Sequence, residues 1–410
     1  MRHAVLALAL ALAAPAAPAA AQPEMRFAID RETEGYVMAA TDMRYDPARG
    51  YGWEDAARFS VRLPVGNYRV TLTLGGRAAA ETTVKAEGRR LMLEAVRTRA
   101  GRAVTRSFIV NLRNAALPEP PANAPGGRLV RLKPIEIGSA TWDDKLTLEF
   151  LGAAQHVSRI VIEPADVPTL YLTGDSTVTD QRAEPTASWG QMLPRFLDDG
   201  IAVANHAESG ETLKSFVTSL RLDKALSRMR TGDFLLIQFG HNDQKIQWPQ
   251  TYADPATTFR AWLRAYIAEA RRRGATPILV TSPERRNFDA AGRIAPSHGA
   301  YPDAVRAVAR EDGVALVDLT PMTIAFYEAL GPARAPLAFN DGGKDKTHHN
   351  NYGAYELARM VASRLAAAGP QFARHVLPEA RRYDPAHPLP PEAFLLPASG
   401  IRSERRPEGN

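Results

Sequence analysis

The apolar residues of this chain change their period near Pro164, and that change decides most of what the chain can fold into. Before it, Phe59, Val61 and Leu63 alternate with polar residues. After the stretch PVGN, Tyr68, Val70, Leu72 and Leu74 alternate with Arg69, Thr71 and Thr73. Alternation of this kind buries one face, and the two runs are expected to form a hairpin across PVGN. Shorter runs at 83–86, 91–95, 108–112, 129–132, 146–150 and 160–162, with no helical spacing among them, predict an all-β sandwich or jelly roll. Residues 114–127 read as a loop, because their prolines lack the N–H a central strand needs.

After Pro164 the runs TLYLTG, IAVAN, DFLLIQF, PILVTS and VALVDL are each followed by helical spacing. The clearest helix is expected to start at Asp254, with Pro255 in its first turn, and to stop at Gly274. It puts Phe259, Leu263 and Ile267 on one face. A second is expected over residues 352–365. Strands alternating with helices predict a three-layer α/β domain around a five-stranded parallel, doubly wound sheet, which collects its ligands at the carboxyl ends of the strands.

The ends of the chain read differently. Arg2 and His3, an Ala/Leu run and Ala19-Ala20-Ala21 have the form of a secretory signal over residues 1–21, too short and Pro-broken for a membrane span. The expected organisation is a signal at 1–21, a β-sandwich at 22–165, an α/β domain at 166–369, and a Pro- and Arg-rich tail laid over the surface at 370–410. The protein is therefore expected to be exported, to the periplasm or beyond. Cysteine is absent, which excludes thiol nucleophiles, disulfides and Cys-ligated metals. The 51 Lys and Arg residues against 45 Asp and Glu leave a net charge of +6, scattered along the chain. A nucleic-acid partner would call for a cluster, so none is expected.

Four segments carry possible chemistry. In TGDST, Ser176 stands just past the strand TLYL, where its hydroxyl and its own N–H can face a ligand; position 178 is Val, so this is not the G-x-S-x-G elbow. In AESGET, Gly210 follows IAVAN and offers a backbone N–H to a developing oxyanion; alone, it is a turn. In FGHND, the Asn242 amide can donate to the same oxyanion, with an Asx turn as the plain alternative. In DKTHHNN, Asp345 and His348 are three apart, so the carboxylate can grip one imidazole nitrogen while the other faces the serine. Asp384 and His387 share that spacing but lie in the tail, beyond the last helix; Asp341 is the next carboxylate for His348. His349 lacks the further ligands that a metal site needs. His206 and His241 border the second and third segments without an assigned step.

Taken in order, GDS, Gly, GxND and DxxH resemble the four blocks of the GDSL/SGNH hydrolase superfamily. The wording YLTGDSTVTDQ, SWGQMLPRF, ANHAESGETLKSF, DFLLIQFGHNDQK and DKTHHNNYGA is similar to the rhamnogalacturonan acetylesterase branch. RYDPARGYGW, LPVGNYRVTL and WDDKLTLEF resemble the accessory domain of its bacterial two-domain form. The resemblance implies a flavodoxin-like esterase domain behind a jelly-roll or galactose-binding-like sandwich. It implies Ser176 as nucleophile, His348 as general base and Asp345 as its orienting carboxylate, with an oxyanion hole of Ser176, Gly210 and Asn242 and neither metal nor cofactor. The implied substrate is an acetylated pectic oligo- or polysaccharide. Acetyl-xylan, a lipid or thioester acyl group, or a non-catalytic glycan-binding role are the alternatives.

Overall fold

The computed structural model describes residues 24–409, so the signal segment expected at 1–21 lies outside the described residues. Residues 25–164 form two five-stranded sheets. One runs Val37–Met38, Met25–Ala28, Val157–Pro164, Gly66–Leu74, Val104–Leu112, antiparallel except for its first pair. The other runs Tyr51–Trp53, Arg58–Arg62, Lys145–Leu151, Ala80–Ala86, Arg90–Thr98 and is antiparallel throughout. Their inner faces share one core, with Phe59, Val61, Leu148 and Phe150 from one sheet meeting Val70, Leu72, Ile160 and Ile162 from the other. Tyr51 and Trp53 serve this packing: the Trp53 ring stands edge-on to Phe59 at 5.5 Å.

The hairpin expected across PVGN does not form. Arg58–Arg62 and Gly66–Leu74 belong to different sheets, and the chain crosses the core edge at residues 63–65. Both strands bury their apolar faces in the same core, so alternation reports the face correctly and is silent on the pairing partner. The strand expected at 129–132 is also absent. Only Leu129 bridges, to Ala116, and the Arg131 N–H is taken up by Ser219 O at 3.0 Å, in the other half of the molecule.

The second half is a five-stranded parallel sheet of β1 (Thr169–Gly174), β2 (Ala202–Asn205), β3 (Phe234–Gln238), β4 (Thr276–Val280) and β5 (Ala315–Val317), in the order β2-β1-β3-β4-β5. Alternate side chains of each strand enter opposite cores. Leu170, Leu172, Leu236 and Ile278 pack with α4 (Leu319–Arg334) and α5 (Asn351–Ala367). Tyr171, Leu235, Ile237 and Leu279 pack with α1 (Leu213–Thr218), α2 (Thr258–Arg272) and α3 (Tyr301–Glu311). This is the three-layer doubly wound arrangement the alternation predicted.

Helix α2 starts at Thr258 rather than Asp254. Asp254 Oδ1 accepts the N–H groups of Ala256 at 2.9 Å and Thr257 at 3.1 Å, closing a separate turn ahead of the helix. Phe259, Leu263 and Ile267 are buried as expected. The tail is not simply laid over the surface, because Phe372, Val376 and Ala380 join the core beside α5, with Phe372 edge-on to Phe234 at 4.9 Å. Among the described residues no helix is long and apolar enough to cross a membrane.

Candidate active site

All four sequence segments reach the carboxyl edge of the parallel sheet. Gly174 ends β1 in a space where a Cβ would stand 2.6 Å from Val178 Cγ2 and 2.9 Å from Gln238 O, so glycine is required for the chain to turn there. Ser176 follows. Its carbonyl accepts from Gln181 Nε2 at 2.8 Å and Ser188 Oγ at 2.7 Å, which fixes the backbone behind the hydroxyl. Asp175 accepts the Thr177 N–H at 2.9 Å and its hydroxyl at 2.8 Å; burial pushes its carboxyl upward.

His348 precedes α5. Its Nε2 lies 2.8 Å from Ser176 Oγ and its Nδ1 lies 2.8 Å from Asp345 Oδ2. Asp345 Oδ1 accepts the N–H groups of Thr347 at 2.8 Å and His348 at 3.0 Å. Burial works to raise the Asp345 carboxyl, but the His348 imidazole and the two N–H bonds outweigh it and hold it at about 2. A short antiparallel pair, Thr186–Ala187 with His349–Asn350, ties the loop after Ser176 to the loop of His348.

Gly210 follows β2 with φ +78, in the left-handed region that glycine favours. Asn242 follows β3, and its Nδ2 donates to Glu211 O at 3.1 Å. Asp243 braces both loops: Oδ1 accepts the Leu213 N–H at 2.9 Å, Oδ2 the Gly240 N–H at 3.0 Å, and burial pushes this carboxyl up to about 7. The N–H groups of Ser176 and Gly210 have no hydrogen-bond partner among the described residues. A hydroxyl on an imidazole held by a carboxylate, beside uncommitted donors, can attack a carbonyl and hold the resulting oxyanion.

The other candidates fall elsewhere. Asp384 and His387 pair with each other at 2.8 Å on the exposed tail, and Asp341 pairs with Arg406 at 2.9 Å rather than with His348. His349 Nε2 shares a hydrogen bond of 2.7 Å with the Tyr327 hydroxyl, and burial drives its imidazole down to about 3. His241 stands edge-on to His298 at 4.5 Å, and burial, reinforced by His298, keeps it neutral. His206 is likewise held neutral, by burial and by Arg113. It sits between Tyr171 and Trp142, whose ring lies under Arg113 at 4.7 Å; Trp142 is thus an interface residue.

Sequence reasoning missed the supports. Gln238 receives Trp189 Nε1 at 2.8 Å and donates to Thr177 Oγ1 at 2.7 Å, linking β3 to the Ser176 turn. Beside Gly210, Arg182 pairs with Glu208 at 2.5 Å, and Arg221 Nη1 donates to Glu136 of the antiparallel half at 3.0 Å. These partners lie 26 to 85 residues apart, so no local spacing reveals them.

Fold and site together define an esterase built on a doubly wound parallel sheet. Residues 172–355 match the GDSL-like Lipase/Acylhydrolase family. Over 221 residues the chain is 39% identical to the rhamnogalacturonan acetylesterase RhgT of Bacillus subtilis (strain 168), covering 51% of this chain and 94% of that protein. It is 34% identical over 213 residues to the probable rhamnogalacturonan acetylesterase YesY of the same organism, covering 51% and 98%. The likeness to the uncharacterized esterase YxiM, also from Bacillus subtilis, is 26% over 368 residues, covering 82% and 88%. The chain belongs to the GDSL-like lipase/acylhydrolase family, and its relationship within it is rhamnogalacturonan acetylesterase-like.

Proposed function

We propose that this protein is an exported carbohydrate O-acetylesterase that removes acetyl groups from pectic rhamnogalacturonan with a Ser176-His348-Asp345 triad. One observation carries the chemistry: the Ser176 hydroxyl, the His348 imidazole and the Asp345 carboxylate stand in a chain with 2.8 Å at each step. The substrate reading is supported by the rhamnogalacturonan acetylesterases among the relatives. Export rests on the signal form of residues 1–21. The antiparallel half acts as a jelly-roll or galactose-binding-like accessory to the esterase half.

Ser176 Oγ bonds to the acetyl carbonyl carbon as its proton passes to His348 Nε2, and Asp345 stabilises the imidazolium. The N–H groups of Ser176 and Gly210 and the Asn242 amide hold the tetrahedral oxyanion, each donor of this kind contributing about 3–4 kcal/mol to the transition state. Collapse breaks the bond to the sugar oxygen, which leaves with the proton from His348. Water then attacks the acetyl-Ser176 ester through the same base, releasing acetate and restoring the hydroxyl.

The test is acetate release from acetylated rhamnogalacturonan, homogalacturonan and xylan by the wild type and by Ser176→Ala. The expected result is preference for rhamnogalacturonan and a loss of about a thousandfold or more in kcat for the variant. Undiminished turnover in Ser176→Ala overturns the mechanism, and preference for xylan overturns the substrate.

A further inference from the structure

The last described residues of the chain return to the site just described. The segment hangs from Glu184. Ser399 N–H donates to Glu184 Oε1 at 3.1 Å, Glu184 N–H to Ile401 O at 2.8 Å, and Ser403 N–H to Glu184 O at 2.9 Å. Beyond that anchor Arg406 pairs with Asp341 at 2.9 Å. A Cβ on Gly409 would stand 2.7 Å from Asn242 Oδ1 and 2.8 Å from Gly210 Cα, so the backbone here lies directly on two residues proposed to hold the oxyanion.

Two ammonium groups receive this segment. Lys245, itself 3.0 Å from Asn242 Oδ1, donates to the Gly409 carbonyl. Lys133 Nζ lies 3.1 Å from Glu408 Oε2. Lys133 belongs to the antiparallel half, in the loop just ahead of Pro134, yet it also donates to Ser209 O and would stand 3.4 Å from a Cβ on Gly210. It is thus a cation brought to the edge of the acyl site by the other half of the molecule, and in this structure it faces a carboxylate carried by the last described segment of the chain. Lys133 Nζ also lies 3.6 Å from Glu211 Oε1.

We propose that Lys133 is a specificity-determining residue that binds the carboxylate of an acidic sugar unit in the saccharide that carries the acetyl ester, and that Glu408 holds this place as an internal competitor until substrate displaces residues 403–409. The proposal rests on the carbohydrate acetylesterase reading and deepens it. A salt bridge at the rim of an ester site selects an anionic saccharide over a neutral one mainly through binding, so the difference is expected in KM rather than in kcat.

The test uses the full mature chain hydrolysing p-nitrophenyl acetate, with unacetylated trigalacturonate and neutral xylotriose as competing ligands. Trigalacturonate is expected to inhibit the wild type and xylotriose not to. Lys133→Ala is expected to raise the inhibition constant at least tenfold, with Lys133→Arg restoring most of it. Glu408→Gln, a change at a half-buried surface position, is expected to lower it at least threefold by removing the competitor. Equal inhibition by the two saccharides, or a constant that moves in neither Lys133→Ala nor Glu408→Gln, overturns the proposal. If the enzyme splits p-nitrophenyl acetate but frees no acetate from any polysaccharide, the function proposed above fails separately, and the inhibition pattern still decides the role of Lys133.

Discussion

At Asp345 the folded carboxyl stands at about 2, against an ordinary value of about 3.9, so folding favours its ionised form. That contribution is complete above about pH 4 and is lost as pH falls through about 2. Asp345→Asn is therefore expected to unfold more easily than the wild type at pH 6, with the difference shrinking toward pH 2 in urea titrations, and to lose about a thousandfold or more in kcat. Glu87 has the opposite sign. Burial pushes its carboxyl up to about 8, and while Oε1 accepts the Thr147 N–H at 2.9 Å, Oε2 has no partner. Its contribution is present below about pH 4 and lost as pH rises through about 8. Glu87→Gln keeps the acceptor without the charge and should melt higher than the wild type at pH 9, with the gain fading toward pH 5. That the candidate residues Ser176, Gly210, Asn242, Asp345 and His348 come together was legible in the sequence because each sits at a strand end or ahead of a helix. Lys133, Gln181 and Gln238 were not, because their partners are set by packing alone.

At the scale of elements, α5 begins where the site ends. Asn350 caps it, its side chain accepting the Gly353 N–H at 3.2 Å, and its Nδ2 donates to Leu337 O at 2.8 Å. Asn350→Ala is expected to cost about 1 kcal/mol from the lost cap, measured by the denaturation midpoint. Because the cap lies two residues after His348, kcat for acetate release should also fall severalfold. The β/α elements were readable because burial imposes its period on sequence. The start of α2 was misplaced because an Asp at 254 caps a turn as well as it caps a helix, and the choice between them is made by the residues that follow.

At the scale of the molecule, charge joins the two halves. Arg221 and Glu136 are both fully buried, and Trp142 Nε1 donates to the same carboxylate at 2.9 Å. Arg90 binds Asp180 at 2.8 Å and Arg89 binds Glu184 at 2.6 Å, so the antiparallel half grips the loop that follows Ser176. Arg221→Met leaves Glu136 buried with Arg182 as a remaining cation at 3.6 Å. It is expected to lower the unfolding free energy by about 3–5 kcal/mol in urea titrations, and to lower kcat/KM because the Glu208 to Glu211 loop loses its brace.

The sequence by itself determined the two kinds of layer, their order along the chain and the residues at the sheet edge, because hydrophobic period and strand-end position are local properties. Tertiary structure alone decided that residues 58–62 and 66–74 join different sheets, that Lys133 reaches the esterase site, and that Glu408 and Gly409 lie over Gly210 and Asn242. Pairing partners and long ion pairs depend on which surfaces meet after collapse, and spacing along the chain carries no record of that choice.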